Sequence, residues 1–285
     1  MNRSRRALAM LLAAAACSTP PADDLSDGVL ELPSVLREVS GLCVVDARTV
    51  VCVQDEVGAL FFVDLQGERP VRAQPFGEAA DWEGVARVGA DFFVLRSDGY
   101  VGRVASQGDG YRIVASTMLP AGPREWESLC HDEVRGCLLA MPKQGLADDK
   151  QARDKRTIYA IDVATLEVRE EPVLVLSRRS LIDEAEARGI ALPTRTTERG
   201  KVRVDFTFVA SELLALPARG EFLVLIARDG AIARLDAAGR LLAVSLIDRD
   251  VLPQAEGLAL LPDGRLLVAS EGADGPGRIV VVPMP

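Results

Sequence analysis

The sequence predicts an all-β fold, a β-propeller of four-stranded blades, and three observations predict it. The first is a recurring phrase: EVSGLCVVD from Glu38, DWEGVARVG from Asp81, EWESLCHDE from Glu125, VASELLALP from Val209 and QAEGLALLP from Gln254. Aligned on Gly41, Gly84, Ser128, Glu212 and Gly257, the phrases lie 43, 44, 84 and 45 residues apart. The second is a succession of apolar runs after each phrase. A second and a third short run come next, and most repeats add a looser fourth, as in DFFVLRSDG, YVGRVA and YRIVAST. The third is composition. The runs are rich in Val, Leu, Ile and Phe and are separated by Gly, Asp and Pro, as strands joined by tight turns are. Four strands per period of about 40–45 residues mark a propeller, whose sheets hide their apolar faces by stacking on one another.

The bulk numbers agree with a folded domain. Of 285 residues, 48% are apolar, 26% charged and 5% aromatic, which excludes a disordered or collagen-like chain. With 42 acids against 33 bases the formal charge is −9, so the clustered Lys and Arg of a nucleic-acid surface are not expected. A single His leaves little material for a His-based zinc site or proton relay.

The elements come in chain order. Arg3, Arg5 and Arg6 precede an apolar run from Ala7 to Ala16, too short to cross a bilayer as a mature helix. Residues 1–16 therefore read as a signal peptide. The run ends at Cys17 and resembles a bacterial lipoprotein signal, in which the cysteine becomes the lipid-bearing N-terminus. An ordinary cleaved signal with a chance cysteine is the alternative. Residues 17–27 are rich in Ser, Pro, Ala and Asp and form the expected tether. Removal of residues 1–16 takes three arginines and no acid, leaving a mature charge of −12. By resemblance to lipoprotein sorting, Ser18 directs the chain to the outer membrane, with the membrane contacted through the lipid. Residues 28–285 then form a single propeller domain.

An oxidising envelope changes how the other cysteines read. A two-residue turn at Ala47-Arg48 would set Cys43 opposite Cys52, and a turn at Glu133-Val134 would set Cys130 opposite Cys137. Two disulfides within hairpins are expected, with buried free thiols the alternative. The last repeat, ending in RLLVASEG and RIVVVP, has three runs, and Val29–Leu32 is expected to supply its fourth strand. The double interval after Ser128 holds either a sixth blade or an insertion. The charged loop KQGLADDKQARDKR and the segment SLIDEAEARG, with Ser180 as N-cap and Gly189 as stop, account for much of it. Five blades with a helical insertion at about 178–205 are favoured over six.

The chain resembles the SdiA-regulated (YjiK-like) family of exported bacterial propellers. The residues that carry this are SGL at 40–42, QDE at 54–56, DWEG at 81–84, LRSDG at 95–99, KRTIYAID at 155–162, PQAEGLA at 253–259 and PDGRLLVASEG at 262–272. Departures fall at FVAS, 208–211, where Pro is expected before Ser, and at Glu212 in place of Gly. The resemblance implies architecture and envelope location more than chemistry.

Glu83, Glu127 and Glu256 share one repeat position, just before the innermost strand, so radial symmetry would bring them to one channel mouth. Asp55 and Glu271 close the second strands of their blades near the same rim, as do Glu56 and Asp98. Converging carboxylates repel, raise their pKa values or bind a cation. Calcium, which takes oxygen ligands in flexible geometry, is the expected ion. A structural role is the alternative, each Glu accepting hydrogen bonds from a neighbouring blade. Trp82 and Trp126 also share a position and read as inter-blade packing, with a ligand platform as the alternative. No G-x-S-x-G elbow, Walker loop or G-x-G-x-x-G is present, and His131 has no nucleophile to serve. The expected function is a binding or scaffold module presenting its face to a protein or small molecule. A calcium-dependent hydrolase of an ester, lactone or phosphoester is the alternative, because propeller hydrolases of that kind resemble this plan. A purely structural envelope protein is a third reading.

Overall fold

The computed structural model describes residues 28–121, 124–145 and 154–285. The predicted signal peptide, Cys17 and the tether lie outside them. The elements are β1 (Val29–Glu31), β2 (Val39–Val44), β3 (Thr49–Gln54), β4 (Val57–Asp64), β5 (Arg72–Pro75), β6 (Trp82–Val88), β7 (Asp91–Arg96), β8 (Tyr100–Gln107), β9 (Gly110–Met118), β10 (Arg124–Asp132), β11 (Cys137–Gln144), β12 (Lys155–Asp162) and β13 (Leu174–Ser177). Next come helix α1 (Arg178–Arg188), β14 (Thr194–Thr196), β15 (Val202–Val204), β16 (Glu212–Leu216), β17 (Glu221–Ile226), β18 (Ala231–Leu235), β19 (Leu241–Leu246), β20 (Gln254–Leu260), β21 (Leu266–Glu271) and β22 (Arg278–Val282).

Five four-stranded antiparallel sheets form the blades: β2 to β5, β6 to β9, β10 to β13, β16 to β19, and β20 to β22 completed by β1. The innermost strands β2, β6, β10, β16 and β20 touch in that order, and β20 returns to β2 to close the ring. The last blade takes its outer strand from the start of the domain, with Val29 opposite Val280 and Glu31 opposite Arg278. Both ends of the domain are thus pinned in one sheet. The double interval contains no sixth blade among the described residues: β13 completes blade three, and α1 with the β14–β15 hairpin comes after it.

Helix α1 starts earlier than the sequence suggests. Ser177, not Ser180, is the N-cap, and its side chain accepts a hydrogen bond from the Ser180 N–H. Gly189 ends the helix at φ 67°, as expected of a left-handed cap. Leu181 and Ala185 bury against the blades, and Arg188 and Glu184 grip the backbone of Leu241. The insertion is thereby clamped to blade four.

The core lies between neighbouring sheets. Leu42, Cys52 and Phe61 of blade one pack on Ala259, Leu267 and Ile279 of blade five. Leu139 and Ile158 of blade three pack on Leu213, Val224 and Ala233 of blade four. Second strands such as FFVL and LLVA read as continuous apolar runs because both faces are covered. Each fully buried Leu, Ile, Val or Phe among them contributes roughly 1.5–3 kcal/mol.

The small residue of the repeat phrase has a steric origin. A Cβ on Gly41 would sit 2.9 Å from the Val85 nitrogen and 3.0 Å from the Glu83 oxygen. One on Gly84 would sit 3.0 Å from the Leu129 nitrogen. Innermost strands of adjacent blades therefore meet backbone to backbone at this level.

The predicted disulfides are not formed: Cys43, Cys52, Cys130 and Cys137 are free thiols. In the first hairpin Asp46 accepts hydrogen bonds from the N–H groups of Arg48 and Thr49, which makes a longer turn than expected. Leu42 then faces Cys52, and Cys43 faces Val51. This one-residue slip sends the two sulfurs to opposite sheet faces. In the second hairpin Asp132 caps a four-residue turn in the same way. Cys130 pairs with Leu139 and Cys137 with Asp132, so the thiols share a face but sit diagonally rather than opposite.

Candidate ligand site at the channel mouth

The three repeated glutamates are bulge residues. The register between first and second strands shifts at Trp82/Gly84, Trp126/Ser128 and Ala255/Gly257, leaving Glu83, Glu127 and Glu256 without a partner across the ladder. Blade one has the same irregularity between Val39 and Leu42. A bulge bends its strand and re-aims the extra side chain. Here that places Glu83 and Glu256 each within electrostatic reach of Glu127, and all three within reach of the Lys143 ammonium.

Lys143 is not apparent from sequence, where it reads as the first residue of a solvated charged loop. It lies near the end of β11 and its ammonium pairs with Glu127, whose side chain is 4% exposed. Burial opposes the lysine's charge, but Glu127, Glu256 and Glu83 together hold its pKa above the usual value. Burial likewise raises Glu127, while Lys143 opposes that shift. Glu83 is driven up by burial and by the Glu127 charge, so it carries the proton of this pair. Burial next to Glu127 pushes Glu256 up to about 8.

Asp55 and Glu271 join the same field from the ends of the second strands. Burial and the Asp55 charge lift Glu271 to about 7, and its carboxylate accepts a hydrogen bond of 2.8 Å from Gln254 Nε2. Asp55 is raised to about 6 by burial and by Glu38, Glu56 and Asp81, and its Oδ1 is buried with no hydrogen-bond partner among the described residues. Asp98, equivalent in sequence, is held below the usual range by Arg96 and does not take part. Glu125, one residue before Trp126, adopts φ 55°, an uncommon conformation for a bulky residue.

The departure at Glu212 marks a further member. It is buried, its carboxyl meets Ser128 Oγ, and it accepts from the Leu213 N–H at 3.0 Å. Burial holds this group well above the ordinary carboxylate range. Glu212 stands where three other blades have glycine, at the level where innermost strands of adjacent blades touch. Trp82 and Trp126 are packing residues. Trp82 lies edge-on to Phe76 and Tyr100, and Trp126 to Tyr159, each tryptophan 2% exposed.

The acceptors at the mouth are all oxygens, the type that hard cations prefer, and Asp55 Oδ1 is an acceptor without a donor among the described residues. Among those residues, however, no three carboxylate, imidazole or thiol groups converge to hold a metal ion. The mouth as it stands is a cluster of carboxyls partly neutralised by Lys143, with Arg228 and Arg249 beside Glu256, not a completed coordination shell.

No protein-family model and no curated protein matches the sequence. Similar solved structures exist. A glutaminyl cyclase from Myxococcus xanthus superimposes with a TM-score of 0.55 at 16% identity, covering 86% of this chain and 90% of its own. A chain of a nidogen/laminin complex gives 0.51 at 14% identity, covering 85% and 75%. At these identities the likeness concerns the fold alone, and the chain is a five-bladed β-propeller.

Proposed function

We propose that this protein is a binding module of the cell envelope, in which a lipid on Cys17 tethers the propeller to a membrane and the acidic mouth receives a positively charged group. The observation that carries the reading is the gathering of Glu83, Glu127 and Glu256 from three blades in the field of Lys143, with Glu271 also in that field and Asp55 beside Glu271. Holding so many acids together opposes folding, and binding of a cation offsets that cost. Calcium is the first ion to test; taking it up requires the carboxylates to draw closer than they stand. The repeat phrases support membership of the SdiA-regulated family and its envelope location.

Calorimetric titration of the metal-stripped protein with calcium tests the mouth. Saturable binding that is lost in Glu83→Gln and Glu256→Gln supports the reading, and absence of binding with no chelator effect on melting removes calcium from it. Lipid labelling that disappears in Cys17→Ser tests the tether. One observation favours hydrolysis as a second reading. Burial and the Glu127 charge raise Glu83 while Lys143 pairs with Glu127, so two neighbouring carboxyls are pushed apart as a general acid and a general base require. Turnover of a simple ester or lactone, abolished by either glutamine substitution, would select it.

A further inference from the structure

A second cavity of about 420 Å³ lies at the other end of the innermost strands from the glutamate mouth. All five innermost strands line it, and its walls are chiefly backbone and apolar side chains, with the Cys43 and Cys130 thiols among them. This is within the range of small-molecule sites, and at ~30 Å³ per water it has room for roughly a dozen waters. We propose that this cavity binds a small apolar molecule bearing one anionic group, an aliphatic or aromatic carboxylate, with the body among the strands and the anion on Arg87.

The charge pattern argues for that occupant. Burial pushes the Cys43 thiol up to about 12 and raises Cys130 well above its usual value, so neither carries charge. Glu212 is buried, burial raises it well above the ordinary carboxylate range, and its carboxyl is engaged by Ser128 Oγ and the Leu213 N–H. Among the described residues, the remaining ionic groups lining the cavity are Arg87, half-buried, and Glu133, which is exposed; Asp46, outside the lining, lies within electrostatic reach of Arg87. Arg87 donates to the Val45 carbonyl, which holds the guanidinium at the cavity wall. A guanidinium fork facing a largely apolar cavity suits a carboxylate better than a neutral or cationic head. His131, half-buried beside Cys130, lines the opening and is the second polar contact available.

Titration of the intact mature protein with decanoate, with decanol as the uncharged control, tests this. The expected result is saturable one-to-one decanoate binding, decanol at least tenfold weaker, and a loss of at least tenfold in Arg87→Met. His131→Trp, which narrows the opening at a half-buried position, blocks binding with an unchanged melting temperature. If that variant does not fold, Arg87→Met alone decides. Glu256→Gln, at the opposite mouth, leaves decanoate affinity unchanged, which separates this site from the cation site. No saturable binding, equal binding of decanol, or indifference to Arg87→Met would overturn the proposal.

Discussion

Replacing Glu256 with Gln should stabilise the protein at alkaline pH and do almost nothing in acid. The folded pKa of Glu256 is about 8 against an ordinary 4.5, raised first by burial and then by the Glu127 charge. A group shifted upward keeps its full stability below 4.5 and loses it as pH rises toward 8. Each unit of difference is worth 1.36 kcal/mol, so ionising Glu256 at pH 8 costs at most about 4 kcal/mol. The side chain is partly exposed, and solvent screening lowers this to about 2 kcal/mol. Gln has nearly the same shape and never ionises. For a domain of this size about 2–4 °C accompany each kcal/mol, so the variant should melt roughly 4–8 °C above wild type at pH 8. At pH 4.5 the two curves should coincide. The assay is thermal unfolding followed by circular dichroism across this pH range, without divalent ions. Equal melting at both pH values, or a variant less stable at pH 8, would refute the crowded acidic mouth.

The same geometry carries further consequences. Lys143→Met strips the counter-charge from the buried Glu127 and should cost about 2–3 kcal/mol at pH 8, with a smaller cost in acid because burial already raises the Glu127 carboxyl; denaturant unfolding in alkali and in acid reads it. Gly84→Ala places a methyl 3.0 Å from the Leu129 nitrogen and should destabilise by about 1–3 kcal/mol in the same assay. Trp126→Ala empties the space beside Tyr159 and should cost about 3–5 kcal/mol, seen as a lower denaturation midpoint. Because Cys43, Cys52, Cys130 and Cys137 are free, a reductant should leave the melting temperature unchanged, and denatured, unreduced protein should yield all four thiols to a colorimetric reagent.

The repeat was legible because each blade solves the same packing problem. A small residue must stand where adjacent innermost strands touch, and Gly41, Gly84, Ser128 and Gly257 satisfy that demand. The glutamates were legible for a related reason: a bulge recurs in the blades, so Glu83, Glu127 and Glu256 recur in the sequence. Lys143 was not legible, because it belongs to no repeat position and its meaning depends on which carboxylate it reaches. The disulfides misled because register depends on turn geometry. Two aspartates, Asp46 and Asp132, cap longer turns than cysteine spacing alone suggests.

Patterns that repeat along the chain, namely strand periodicity, blade spacing and the acidic bulge position, were determined by the sequence alone, since local propensity and burial act the same way in every copy. Tertiary structure decided how many blades close the ring, which face each cysteine takes, that Glu127 pairs with Lys143 beside a raised Glu83, and that a second cavity opens at the other end of the innermost strands. Those outcomes depend on distances between residues remote in the chain, and charge and steric contact act through space rather than along it.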